Sequence, residues 1–181
     1  AHKLNIEVSP LIQGIGHADF ILKHEEMKPL REDPSSDWVC CPSNEEYYKV
    51  QFKLYEDDIK ATPYGKYLHV GGDEVGTLGT CPRCKKQHKN ALALQMQWLK
   101  RVSDYAVKHG RTPIFWDDMV FKHVGLYAAI LDQIPPQQVD SVWQKQLPEL
   151  NKHIKSFPKK VIYMRWQYGN ADQPGHKKAL E

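Results

Sequence analysis

The stretch Tyr67-Leu-His-Val-Gly-Gly-Asp-Glu74 reads as a short strand that runs into two glycines and an acidic pair. Beyond it a loop passes through Cys84. Lys89 to His109 then carries Leu94, Trp98, Val102 and Tyr105 at helical spacing, with Gly110 where a C-cap glycine belongs. Pro113-Ile-Phe-Trp116 is the next strand, followed by Asp117-Asp118-Met119. Val124 to Ile134 reads as a helix closed by Pro135-Pro136, and Leu147 to Phe157 as another stopped by Pro158. Val161 to Trp166 is the last strand and leads into Gln167-Tyr168-Gly169. In the other direction, Pro63-Tyr-Gly65 is a turn, and Ser43-Asn-Glu-Glu46 fits a capping box ahead of an amphipathic helix over Tyr47 to Ile59. Lys28 to Pro42 is a long loop, and Ala18 to His24 a short helical turn. Gln13-Gly-Ile-Gly-His17 breaks regular structure, and Leu4 to Leu11 alternates as a strand.

Strands that alternate with helices predict an α/β fold with a parallel sheet and helices packed outside. The residues able to do chemistry, His17, Asp73-Glu74, Asp117-Asp118 and Tyr168, all follow strands. Sites lie at those strand ends in (β/α) barrels and open α/β sheets. A complete eight-stranded barrel takes about 250 residues, so about four parallel strands make roughly half of one. The expectation is a partial (β/α)8 TIM barrel occupying 1–181 as one domain, with no second domain.

A composition of 41% hydrophobic and 26% charged residues is that of a globular protein. The net charge of +3 is too small to predict nucleic-acid binding, and no cluster of Lys and Arg is interleaved with aromatics as a nucleic-acid groove would need. No apolar run approaches the roughly 20 residues of a membrane span, so no membrane partner is expected. The opening Ala1-His2-Lys3 does not read as a signal peptide, and both ends read as cut. Cys40, Cys41, Cys81 and Cys84 could form a four-thiolate zinc site or a disulfide. The vicinal pair lacks the usual two-residue spacer, so the expectation is free or partly buried thiols, with no metal and no cofactor.

A bare Asp-Glu pair is better explained by a solvated loop tip than by a site. The double glycine before Asp73 changes the balance, because it strips side chains from the strand end and lets a ligand approach the backbone. A retaining glycosidase with a carboxylate nucleophile needs two carboxyls about 5–5.5 Å apart across the glycosidic bond. Neighbours on a strand point to opposite faces and suit that geometry poorly. One carboxyl acting as acid, with its neighbour serving another substrate atom, is the better use.

His69-Val-Gly-Gly-Asp73-Glu74 resembles the signature of family 20 glycoside hydrolases, the retaining β-N-acetylhexosaminidases. Glu7-Val-Ser-Pro-Leu-Ile-Gln-Gly-Ile-Gly-His17-Ala resembles the family's third-strand segment. Ile114-Phe-Trp116-Asp-Asp118-Met resembles the fifth-strand segment of the hexosaminidase D-like branch. Cys81-Pro-Arg-Cys84 and Trp166-Gln-Tyr168 also suit that branch, so the chain is similar to barrel strands three to six. The resemblance implies hydrolysis of terminal N-acetyl-β-hexosamine residues from glycans. Glu74 would be the general acid and then the base, its pKa raised by partial burial beside Asp73. Asp73 would orient the 2-acetamido group, whose carbonyl oxygen attacks the anomeric carbon to give an oxazolinium ion. His17 would order the acidic pair or a sugar hydroxyl. Trp116 would wall the acetamido methyl, and Tyr168, with Tyr163 as rival, would bond the acetamido oxygen. Trp166 joins the substrate-binding set. Asp118 would bind sugar hydroxyls, with helix capping by it or Asp117 open as the other use. Gln13 departs from a Glu frequent in the family.

An early-strand Arg and later-strand residues that close the family's pocket are not found in these 181 residues. Two other readings follow. One is a non-catalytic half-barrel that self-associates through exposed sheet edges, giving a homo-oligomer. The other is a zinc-stabilised binding module.

Overall fold

The computed structural model describes residues 1–155, 157–166 and 172–180. Among them, three strands form one parallel sheet in the order β1 (Tyr67–His69), β2 (Thr112–Trp116), β3 (Ile162–Met164). Tyr67 pairs with Thr112 and His69 with Ile114 across the first ladder; Ile114 pairs with Ile162 and Trp116 with Met164 across the second. The helices are α1 (Asp19–Leu22), α2 (Glu45–Ala61), α3 (Pro82–Lys85), α4 (Ala91–Lys108), α5 (Asp118–Val124), α6 (Tyr127–Ile130), α7 (Pro136–Ile154) and α8 (Pro174–Leu180). No helix among the described residues is long and apolar enough to cross a membrane.

The predicted first strand is reduced to one parallel bridge, Leu11 to His69. Ile12 N–H donates to the His69 carbonyl at 3.1 Å, and His69 N–H to the Pro10 carbonyl at 2.9 Å. Upstream, His2–Leu4 is a 3-10 turn, and Leu4, Ile6 and Val8 are exposed. An alternating pattern makes a strand only where one face is buried, and here neither face is covered. Helix boundaries also moved. Val124 to Ile134 is broken at Gly125, and α7 starts at Pro136 and continues through Pro148. The capping box over Ser43 is not used. Asn44 accepts the Glu46 N–H at 3.1 Å instead, while Ser43 turns to Cys84. Gly110 follows the end of α4 with φ +74, as its position predicted.

Helix α4 supplies the inner wall. Its Leu92, Gln95, Met96, Leu99, Val102, Ser103 and Ala106 are buried at helical spacing. Trp98, Tyr47, Leu68 and Phe115 fill the core around it. Each such apolar side chain contributes about 1.5–3 kcal/mol relative to exposure. Tyr47 also carries a polar task there: its hydroxyl accepts both the Trp98 Nε1–H and the Ile15 N–H at 2.9 Å. That pair of bonds ties the Gly14–His17 segment to the core and sets the position of His17.

Candidate active site

Asp73 and Glu74 lie four and five residues past the end of β1, outside the pleat. Glu74 has a left-handed backbone, φ 47, as has His17, φ 49. Both conformations are costly for residues other than glycine and persist only where the surroundings hold them. The result corrects the expectation of diverging carboxylates. His17 Nε2 is 3.4 Å from Asp73 Oδ2 and 3.3 Å from Glu74 Oε2, so both acids reach the same imidazole. Gly16 makes this approach possible, since a Cβ there would lie 2.3 Å from the Asp73 carbonyl oxygen. Gly71, at φ +80, turns the chain out of β1 where a side chain would meet Gln13 Oε1 at 2.2 Å.

The two acids differ in environment. The Asp73 side chain is 13% exposed and that of Glu74 56%. The partial burial expected of Glu74 falls on Asp118 instead. Asp118 is buried, its Oδ2 accepts the Glu74 N–H at 3.5 Å, and its Oδ1 has no partner among the described residues. Burial pushes its carboxyl up to about 6; the Glu74 N–H opposes that shift, and the negative charges of Asp73 and Asp117 add to it.

A folded-state pKa above the unfolded value gives stability that is complete below the unfolded pKa, about 3.9, and lost as pH rises through the folded one. Asp118→Asn removes that titration. The variant is expected to be more stable than the parent at neutral pH, by at most about 2–3 kcal/mol, and equal to it under acid conditions near pH 4. Thermal melts across that pH range check this; a difference that does not change with pH would refute it.

His69 is buried, and its Nδ1 accepts the Gly71 N–H at 3.1 Å. Burial pushes its pKa down to about 4, so it stays neutral and acts as a strut under the glycine turn. Trp116 lies against it, with ring centroids 4.6 Å apart. Asp117 caps no helix through its side chain; it pairs with Arg165. Trp166 is half-buried two residues beyond β3, and Tyr168 lies outside the described residues. An apolar cleft of about 400 Å³, lined by Val120, Phe121, Leu150, Phe157 and Tyr163, takes in Asp117 but neither Asp73 nor Glu74.

Trp38 is the residue that sequence reasoning missed. Its Nε1–H donates to the Glu74 carbonyl at 2.9 Å, and its ring is tilted against His17 at 4.3 Å. A lone tryptophan inside the Pro34-Ser-Ser-Asp loop was the signal. Nearby, burial raises the pKa of Tyr127, and the charges of Asp118 and Glu74 add to that shift.

The family model for the glycosyl hydrolase family 20 catalytic domain matches residues 1–179. Hexosaminidase D of Bos taurus is 31% identical over 181 residues, covering 97% of this chain and 45% of the relative. Hexosaminidase D of Homo sapiens is 29% identical over 182 residues, covering 97% and 32%. The chain therefore spans less than half the length of these relatives. A β-N-acetylhexosaminidase from Bacteroides fragilis NCTC 9343 superposes with a TM-score of 0.55 at 26% identity, over 64% of this chain and 25% of that one. Dispersin B, 13% identical, shares the fold, with a TM-score of 0.58 over 98% of this chain and 43% of its own. With an acidic pair gathered on one histidine after a Gly-Gly turn, and a family match over nearly its whole length, the chain belongs to glycosyl hydrolase family 20.

Proposed function

We propose that this chain is the central part of a (β/α)8 barrel, contributing about four of its strands, and that it carries the acid–base centre of a retaining β-N-acetylhexosaminidase. The observation that supports the reading best is the unequal pair on His17: a sheltered Asp73 beside an exposed Glu74. Glu74, open to solvent, protonates the glycosidic oxygen as the anomeric bond breaks. The substrate's acetamido oxygen bonds to the anomeric carbon, and the oxazolinium ion forms. Asp73 accepts the acetamido N–H and balances the positive charge that develops on the ring. Glu74, now a carboxylate, takes a proton from water as that water opens the oxazolinium, and the anomeric configuration is retained. Trp116 lines the acetamido side, Asp118 and Trp166 meet sugar hydroxyls, and Tyr168 bonds the acetamido oxygen.

The test is binding of a thiazoline analogue of the oxazolinium ion, read alongside turnover of a chromogenic N-acetyl-β-glucosaminide. Saturable inhibition of turnover by the thiazoline supports the reading. Turnover that the thiazoline leaves untouched would rule out participation of the acetamido group.

A second reading, a half-barrel that closes by self-association, is favoured by exposed apolar residues at both sheet edges. Leu11, bridged to His69, stands at the β1 edge, and Ile162 and Tyr163 lie on β3. Such edges are templates for pairing. Sedimentation should then give a species larger than one chain, and a monodisperse monomer would end this reading.

A further inference from the structure

Three cysteines and a glutamate meet away from the acidic pair. Cys41 Sγ is 3.3 Å from Cys81 Sγ and 3.7 Å from Cys84 Sγ, and Cys84 Sγ is 3.2 Å from Glu32 Oε2. All four residues are buried, and their ligand atoms lie within 4.8 Å of one another. In a tetrahedral zinc site with Zn–S near 2.3 Å, neighbouring sulfurs stand roughly 3.8 Å apart. The Cys41–Cys84 edge is already about that size, and the Cys41–Cys81 edge, at 3.3 Å, is a little shorter. Cys40 is not a member. It turns into the main core, while Cys41 turns to Cys81, Cys84 and Leu94, which is why the four-thiolate pattern read from the sequence does not form.

Two further features point to a cation. Cys81-Pro82-Arg83-Cys84 folds as a knuckle, with the Cys84 N–H donating to Cys81 Sγ at 3.3 Å at the start of α3. Backbone donors of this kind orient and stabilise a metal-bound thiolate. Glu32 is 1% exposed, and among the described residues no ion pair engages it. Its Oε1 is held by the N–H groups of Thr80 at 2.7 Å and Cys81 at 3.1 Å, which leaves Oε2 facing the sulfurs. A buried carboxylate without a cation is costly.

We propose that Cys41, Cys81, Cys84 and Glu32 form a structural zinc site. Zinc displaces three thiol protons and is held by three thiolates and one carboxylate, a closed tetrahedral set with no open position for catalysis. The metal joins three separate segments and secures the strap between them. Arg31 and Cys40 form an antiparallel bridge, and Glu32 N–H donates to the Val39 carbonyl at 2.9 Å. Trp38 sits at the end of that strap, with its indole on the Glu74 carbonyl. The zinc site thereby braces the wall beside the acidic pair, and it stands whether or not the hexosaminidase reading does.

The test adds cobalt(II) to the whole chain after reduction and removal of metal. One equivalent per chain should give thiolate-to-cobalt charge transfer and the strong visible bands of a tetrahedral site, and zinc should displace it with a rise in melting temperature. Cys40→Ala should bind as the parent does. Glu32→Gln, which loses a direct ligand and so at least what an outer-shell change costs, should bind at least about 10-fold more weakly, and Cys84→Ser should lose the bands. Absence of the cobalt bands in the folded, reduced parent overturns the proposal. So does a Cys41–Cys81 disulfide in protein isolated under anaerobic conditions, or equal binding by Glu32→Gln. The parent and Cys40→Ala keep the outcome readable if Cys84→Ser does not fold.

Discussion

Glu74→Gln is expected to lower kcat/KM about 10²–10⁴-fold for an alkyl N-acetyl-β-hexosaminide and far less for a nitrophenyl one. The alkoxide leaving group needs a proton as the bond breaks, whereas nitrophenolate leaves well without one. Asp73 acts on the acetamido group, not on the leaving group. Asp73→Asn should therefore cost a similar factor with both substrates. The structure makes the comparison clean. Both substitutions keep size and shape, and the His17 contacts are side-chain contacts that an amide oxygen can still accept. If the two variants respond alike to the leaving group, the division of labour between these acids is wrong.

Asp117→Ala is expected to be the most destabilising single change at the strand ends, by about 3–5 kcal/mol. Asp117 Oδ2 meets Arg165 Nη2 at 2.7 Å and Oδ1 meets Nε at 3.1 Å, a fork in which the side chains are 10% and 14% exposed. The guanidinium also sits 4.7 Å from the centre of the Phe121 ring. Burial still holds the Asp117 carboxyl above its ordinary pKa against the pull of Arg165, so the pair repays little of its own desolvation. Its importance lies in what one partner becomes without the other: a buried, unpaired guanidinium. The loss should appear as a fall in melting temperature of about 2–4 °C per kcal/mol. Asp117→Ala combined with Arg165→Met should recover most of it. A double variant as unstable as the sum of the single ones would mean that the two residues do not couple.

These sites were legible in the sequence to different depths. Asp73, Glu74 and His17 were found from a glycine pair before two acids and from a glycine-rich segment ending in histidine. The structure places both acids within 3.4 Å of the His17 imidazole. Asp118 was found as a polar residue after a strand; that it would be the buried acid of the group was not. Trp38 and Glu32 were missed because their loop has no period, only prolines and polar residues. Their partners, Glu74 and Cys84, lie 36 and 52 residues away. The segment from Leu4 to Leu11 went wrong in the opposite sense, with a clean alternating pattern and no surface to bury it.

By itself the sequence determined the α/β alternation, the helical face of α4, the glycine turns and the chemical types at the strand ends. Each of these depends on residues within a turn or two of one another. Only the tertiary structure decided which carboxyl is buried, which cysteine leaves its neighbour for Cys81 and Cys84, and which loop side chain rests on Glu74. Those outcomes depend on burial and on contacts across long separations, and the chain's path through space sets both.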